Sequence, residues 1–97
     1  MSTLPARLAA LRDTAGISAN ELGLLAGLSH YTVTTIETAK SPNPNLATVA
    51  KLAAVLGDTG NWILTGAGKP PGEKAIAAAV QTARTKRAER LGSEAEG

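Results

Sequence analysis

The sequence predicts an all-α protein, with five short helices in a small bundle followed by a linker and a sixth helix. Apolar residues recur at three- and four-residue spacing in several segments, and no stretch alternates as a strand would. Ser, Thr and Asn stand just before these segments and glycine just after most of them, the expected order of helix starts and stops. Phe is absent and Trp and Tyr occur once each, so Leu, Ala, Val and Ile must fill the interior. A chain of 97 residues holds one compact domain and an appendage. A core so small is marginally stable, which favours a dimer.

The first helix is expected from Leu4 to Ala15. Thr3 is its cap, Pro5 suits its first turn, and Leu4, Leu8, Leu11 and Ala15 share one face before Gly16 ends it. Ser18 followed by Glu21 forms a capping box for a second helix over about Ala19 to Ala26, with Leu22 and Leu25 on its apolar face. Gly27 falls where a helix ends in a left-handed residue. Ser29 caps a third helix, His30 to Thr38, whose Val33 and Ile36 turn back toward the second. Gly23 costs about 1 kcal/mol relative to Ala inside a helix, and so small a residue is useful where another helix crosses close to it. The two prolines in Ser41–Asn45 interrupt the helical pattern. Asn45 then caps a fourth helix with Val49, Leu52, Ala53 and Leu56 inward, and Gly57 ends it. A short fifth helix around Trp62 to Leu64 closes at Gly66, with Trp62 read as core packing.

Two short helices, a glycine turn and a small residue at the crossing describe a helix-turn-helix, the unit that sets its second helix in the DNA major groove. Residues 1–66 are therefore read as this module, 67–72 as a linker rich in Gly and Pro, 73–91 as a helix and 92–97 as a disordered tail. The Glu73–Leu91 helix is rich in Ala and carries a thin apolar stripe of Ile76, Ala79, Val80, Ala83 and Leu91. That stripe can meet a second subunit or fold back on its own bundle, and the dimer is the expectation. A protein partner is the other occupant considered for it.

Charge speaks more weakly for DNA than the motif does. Within residues 1–66, Arg7, Arg12, Lys40 and Lys51 balance Asp13, Glu21, Glu37 and Asp58. The excess of two positive charges lies beyond, where Lys69, Lys74, Arg84, Lys86, Arg87 and Arg90 outnumber Glu73, Glu89, Glu94 and Glu96. Phosphate contacts dominate DNA affinity, so a neutral module gains from being doubled. No cysteine is present and the lone His has no carboxylate cluster, so neither disulfides, a metal nor a cofactor is expected. No signal-peptide pattern and no run of roughly 20 apolar residues appears, which excludes a membrane span and leads to a cytoplasmic expectation. Catalysis is not expected either. His30 beside Ser29 does not make a nucleophile and base, because adjacent helical residues point apart and no orienting third group is evident.

Residues 7–66 resemble the DNA-binding domain of the phage repressor/Cro, or XRE, family. Besides the Ser18–Ile36 unit, the likeness rests on Arg7–Arg12, Ala39–Leu46, Leu46–Gly57 and Asn61–Gly66, in the family's order. It implies that His30, Tyr31, Thr34 and Thr35 read base edges, and His, Tyr and Thr can all bond or pack against bases. Ser29, Asn20, Lys40, Ser41, Asn43 and Asn45 are the implied phosphate contacts. Asn20 would serve where Ala19 replaces the family's usual Gln. Arg12 and Glu37 match a pair that many members form across the first and third helices. The implied activity is sequence-specific binding of a double-stranded DNA operator by a homodimeric transcriptional repressor. An antitoxin that represses its own operon, and a protein-interaction module on the same fold, are the alternatives.

Overall fold

The computed structural model describes residues 3–38, 44–59 and 61–96, the last four by backbone alone. They form six helices: α1 (Leu4–Ala15), α2 (Ala19–Leu25), α3 (Thr32–Glu37), α4 (Leu46–Val55), α5 (Trp62–Thr65) and α6 (Glu73–Glu96). The starts follow from local chemistry. Thr3 Oγ1 accepts from Ala6 N at 3.3 Å, Ser18 Oγ from Glu21 N at 3.0 Å, and Asn45 Oδ1 from Ala47 N and Thr48 N at 2.8 and 3.3 Å. Each bond satisfies amides that a helix start leaves without an intrahelical partner.

One core joins all six helices. Leu8 and Leu11 from α1, Leu22 from α2, Val33 and Ile36 from α3, Val49, Leu52 and Ala53 from α4, and Ile63 from α5 are buried together. Leu4, Ala15, Leu25 and Trp62 pack against its edge, partly buried. α1 lies against α3, α5 and α6, and α4 against α2, α5 and α6, so α1 and α4 form the frame on which α2 and α3 sit.

The C-terminal segment folds back onto its own bundle. Ile76 and Val80 keep 1% and 3% of their surface exposed and belong to the same core. Gly57, just after α4, makes this possible: its φ of +74° is one that side chains rarely adopt, and a Cβ there would stand 3.1 Å from both the Ala75 carbonyl oxygen and Ala79 Cβ. Leu91, at the far end of the stripe, remains exposed. The helix also runs on to Glu96, five residues past the boundary expected at Leu91. Gly92 disfavours a helix interior, but it lies in a segment of otherwise good helix formers that α6 extends into without a break.

Candidate nucleic-acid interface

The geometry of the helix-turn-helix is set by the turn between α2 and α3. Gly27 takes a φ of +75°. Leu28 N donates to the Gly23 carbonyl at 2.9 Å and Gly27 N to the Leu24 carbonyl at 3.0 Å, the two bonds of a Schellman ending. The chain then passes so close to α2 that a Cβ on Gly23 would sit 2.7 Å from the Ser29 carbonyl oxygen. That same oxygen accepts from Thr32 N at 3.1 Å and so anchors the first turn of α3. Gly23 thus fixes where the third helix starts through the backbone of the turn.

α3 begins at Thr32, two residues later than the pattern suggests. Ser29 Oγ accepts from Tyr31 N at 3.2 Å, which closes Ser29–Tyr31 into a turn preceding the helix. Val33 and Ile36 point into the core and leave the opposite side open. On that side His30, Tyr31 and Thr34 are exposed, Tyr31 with 67% of its surface. The His30 and Tyr31 rings lie with centroids 3.9 Å apart at 43°. Thr35 differs from its three neighbours: it is half-buried, and its hydroxyl donates to the Tyr31 carbonyl at 2.9 Å.

A groove of about 300 Å³ runs between the start of α3 and the start of α4, lined by Tyr31, Thr32, Thr35, Pro44, Asn45 and Thr48 among others. Ser29 also borders it. Asn45 spends its carbonyl oxygen on the α4 cap. Asn20 is exposed on the first turn of α2. Lys40, Ser41 and Asn43 lie outside the described residues.

Behind the exposed face, Arg12 of α1 and Glu37 of α3 meet through two hydrogen bonds, Nε to Oε2 at 2.6 Å and Nη2 to Oε1 at 2.9 Å. Both side chains are largely covered. The bonds to Glu37 raise the guanidinium above its ordinary value despite the opposing effect of burial. Arg12 Nη1 also donates to the Ile17 carbonyl at 3.0 Å, so one side chain ties α1, the α1–α2 turn and the end of α3. This is a positioning device for α3.

Three further residues carry architecture that the sequence pattern does not disclose. Asp58 is 4% exposed, and its two carboxylate oxygens accept from Trp62 N at 3.0 Å and Ile63 N at 2.8 Å, capping α5 from four residues upstream. Arg7, 8% exposed, donates through Nε to the Ile63 carbonyl at 2.9 Å and caps the other end of α5. The signal for both is indirect: a charged residue inside an apolar face or beside a helix-ending glycine. Arg84 of α6 grips Glu21 of α2 in a bidentate pair, Nε to Oε2 at 2.8 Å and Nη2 to Oε1 at 3.2 Å.

An all-α bundle whose glycine turn presents an exposed, uncharged and hydrogen-bonding helix face belongs to the class of helix-turn-helix proteins. Comparison of the sequence with known families agrees. The family described as "Helix-turn-helix domain" matches residues 4–61, more than half of the chain, and the chain belongs to it. The family is typical of XRE-like DNA-binding proteins, which act in regulation and are typically not enzymes. Neither the curated proteins nor the solved structures hold a match to the chain. Among the described residues no helix is long and apolar enough to cross a membrane.

Proposed function

We propose that the chain binds a specific double-stranded DNA operator as a homodimer and acts as a transcriptional repressor. The observation that carries this reading is the composition of the exposed side of α3 and the turn before it. His30, Tyr31, Thr34 and the Thr35 methyl offer donors, acceptors and apolar contact with no charge among them, as a surface that reads base edges requires. A purely solvated face would favour Lys, Glu and Arg. Ser29 and Asn45 border the groove beside this face, and they and Asn20 are suited to phosphates, as are Lys40, Ser41 and Asn43 by sequence.

The case for two subunits rests on charge. Of the four cations in residues 1–66, Arg7 and Arg12 are engaged inside the fold, so one module has little charge to offer a polyanion. A two-fold dimer doubles it and reads half-sites about 34–36 Å apart.

Selection of bound duplexes from a random library, followed by salt titration, tests the reading. His30→Ala, Tyr31→Ala and Thr34→Ala are expected to cost about 1–3 kcal/mol each on the selected site and to relax preference at particular base pairs. Lys40→Ala is expected to weaken all duplexes alike. Equal affinity for selected and scrambled duplexes in the unaltered protein overturns the reading and leaves a protein-interaction module.

A further inference from the structure

We propose that α6 completes the DNA-backbone edge of the helix-turn-helix: Arg84 cancels the charge of Glu21, and Arg87 beside it contacts a backbone phosphate together with Ser18 and Asn20. The proposal rests on the DNA-binding reading and adds a second element to the interface.

The first turn of α2 holds Asn20, proposed above as a phosphate contact, and beside it a carboxylate, Glu21. A bare carboxylate at a rim passed by DNA phosphates is repelled by them. The structure places two guanidinium groups against it. Arg84 makes the bidentate pair at 2.8 and 3.2 Å. Arg87, one turn further along α6, lines the same groove of about 410 Å³ with Ser18, Asn20, Glu21 and Leu24. Both arginines hold the Glu21 carboxyl below its ordinary value, Arg84 mainly by hydrogen bonds and Arg87 by its field. One negative charge against two positive ones turns this rim from net acidic to net basic.

Arg87 makes no hydrogen bond or ion pair among the described residues, so its five donors are available. Its neighbours Ser18 and Asn20 are exposed polar side chains on the same groove. A guanidinium flanked by a hydroxyl and an amide suits a phosphate diester, which presents two unesterified oxygens for a forked donor. The position of α6 is not incidental. Ile76 and Val80 anchor it in the core and Gly57 lets it approach, so Arg84 and Arg87 reach α2 from a fixed helix. With Arg7 and Arg12 turned inward, this helix adds cations to a module that has few to offer.

The test uses the full chain and fluorescence titration against the selected duplex and a scrambled one across a range of salt. Arg87→Ala is expected to bind both duplexes roughly 3- to 10-fold more weakly, with the log–log salt slope shallower by about 0.9. Lys74→Ala removes the same charge from the same helix about 20 Å away, beyond the screening length, and is expected to change the slope far less. Arg84→Ala exposes Glu21 and is expected to lose more than Arg87→Ala, and Glu21→Gln in that background should restore most of the loss. Circular dichroism and sedimentation equilibrium accompany each variant. If the unaltered protein binds duplex DNA while Arg87→Ala keeps its affinity and slope, this inference falls and the DNA reading stands. An Arg87→Ala protein that changes oligomeric state with an unchanged slope also overturns it, assigning the ridge to contact between copies. If the unaltered protein binds no duplex, both fall.

Discussion

Replacing Gly23 with alanine should damage recognition more than it damages the fold. The added Cβ would lie 2.7 Å from the Ser29 carbonyl oxygen, where real Cβ contacts essentially never fall under 3.0 Å and rarely under 3.4 Å. The oxygen, or α2, must retreat by about 0.3–0.7 Å, the difference between those distances. The neighbour is backbone, so no side-chain rotation relieves it. Overpacking of this kind costs about 1–3 kcal/mol, while alanine returns about 1 kcal/mol of helix propensity. The net destabilisation is then about 0–2 kcal/mol, a fall in urea midpoint of up to about 2 M for a chain of this size. The displaced oxygen is the one that receives Thr32 N, so the start of α3 moves with it. Recognition tolerates shifts of only about 0.5 Å. The Gly23→Ala protein should therefore lose at least about tenfold in affinity for its selected duplex, comparable to one base contact of about 1–3 kcal/mol. Gly92→Ala serves as the control, since nothing lies within 4 Å of its added carbon. A Gly23→Ala protein that gains stability as the control does, and binds DNA unchanged, refutes the reasoning.

Arg12 and Glu37 should show a coupling of about 1–2 kcal/mol in a double-mutant cycle followed by urea unfolding, and a coupling near zero removes the pair from the account. Arg12→Ala should cost more than Glu37→Ala, because it also removes the bond to the Ile17 carbonyl. Asp58→Ala should destabilise by about 1–3 kcal/mol in the same assay, since two amides of α5, one of them buried, lose their acceptor. Glu21 titrates below its ordinary 4.5 because Arg84 bonds its charged form. Its contribution to docking α6 is therefore complete above that ordinary value and disappears as pH falls through the depressed one. An NMR titration should show the Glu21 value moving back toward 4.5 in Arg84→Ala, and an unchanged value would refute the link.

The burial of Ile76 and Val80 bears on how oligomerisation is measured. Removing α6 after Gly68 strips two core side chains, worth about 1.5–3 kcal/mol each. A truncated chain would report lost stability as readily as lost association. Substitution of exposed Leu91 leaves the core intact and is the cleaner probe of a second subunit.

Sequence alone determined the local features of this protein. Caps at Thr3, Ser18 and Asn45, the left-handed turn at Gly27, and the inward faces of α1 to α4 all depend on residues within about one helical turn of each other, and such short-range chemistry survives any rearrangement of the rest. The need for a small residue at Gly23 was legible for the same reason, although what crosses it is the carbonyl of a turn. Tertiary structure decided what depends on groups distant in the chain. Arg7 finds its acceptor at Ile63, and Arg84 finds Glu21 sixty-three residues away. The stripe on α6 has the same composition whether it meets its own bundle or a second copy, and the linker permits both. Only the space above Gly57, and the burial available to Ile76 and Val80 beside α1 and α4, selected the folded-back arrangement.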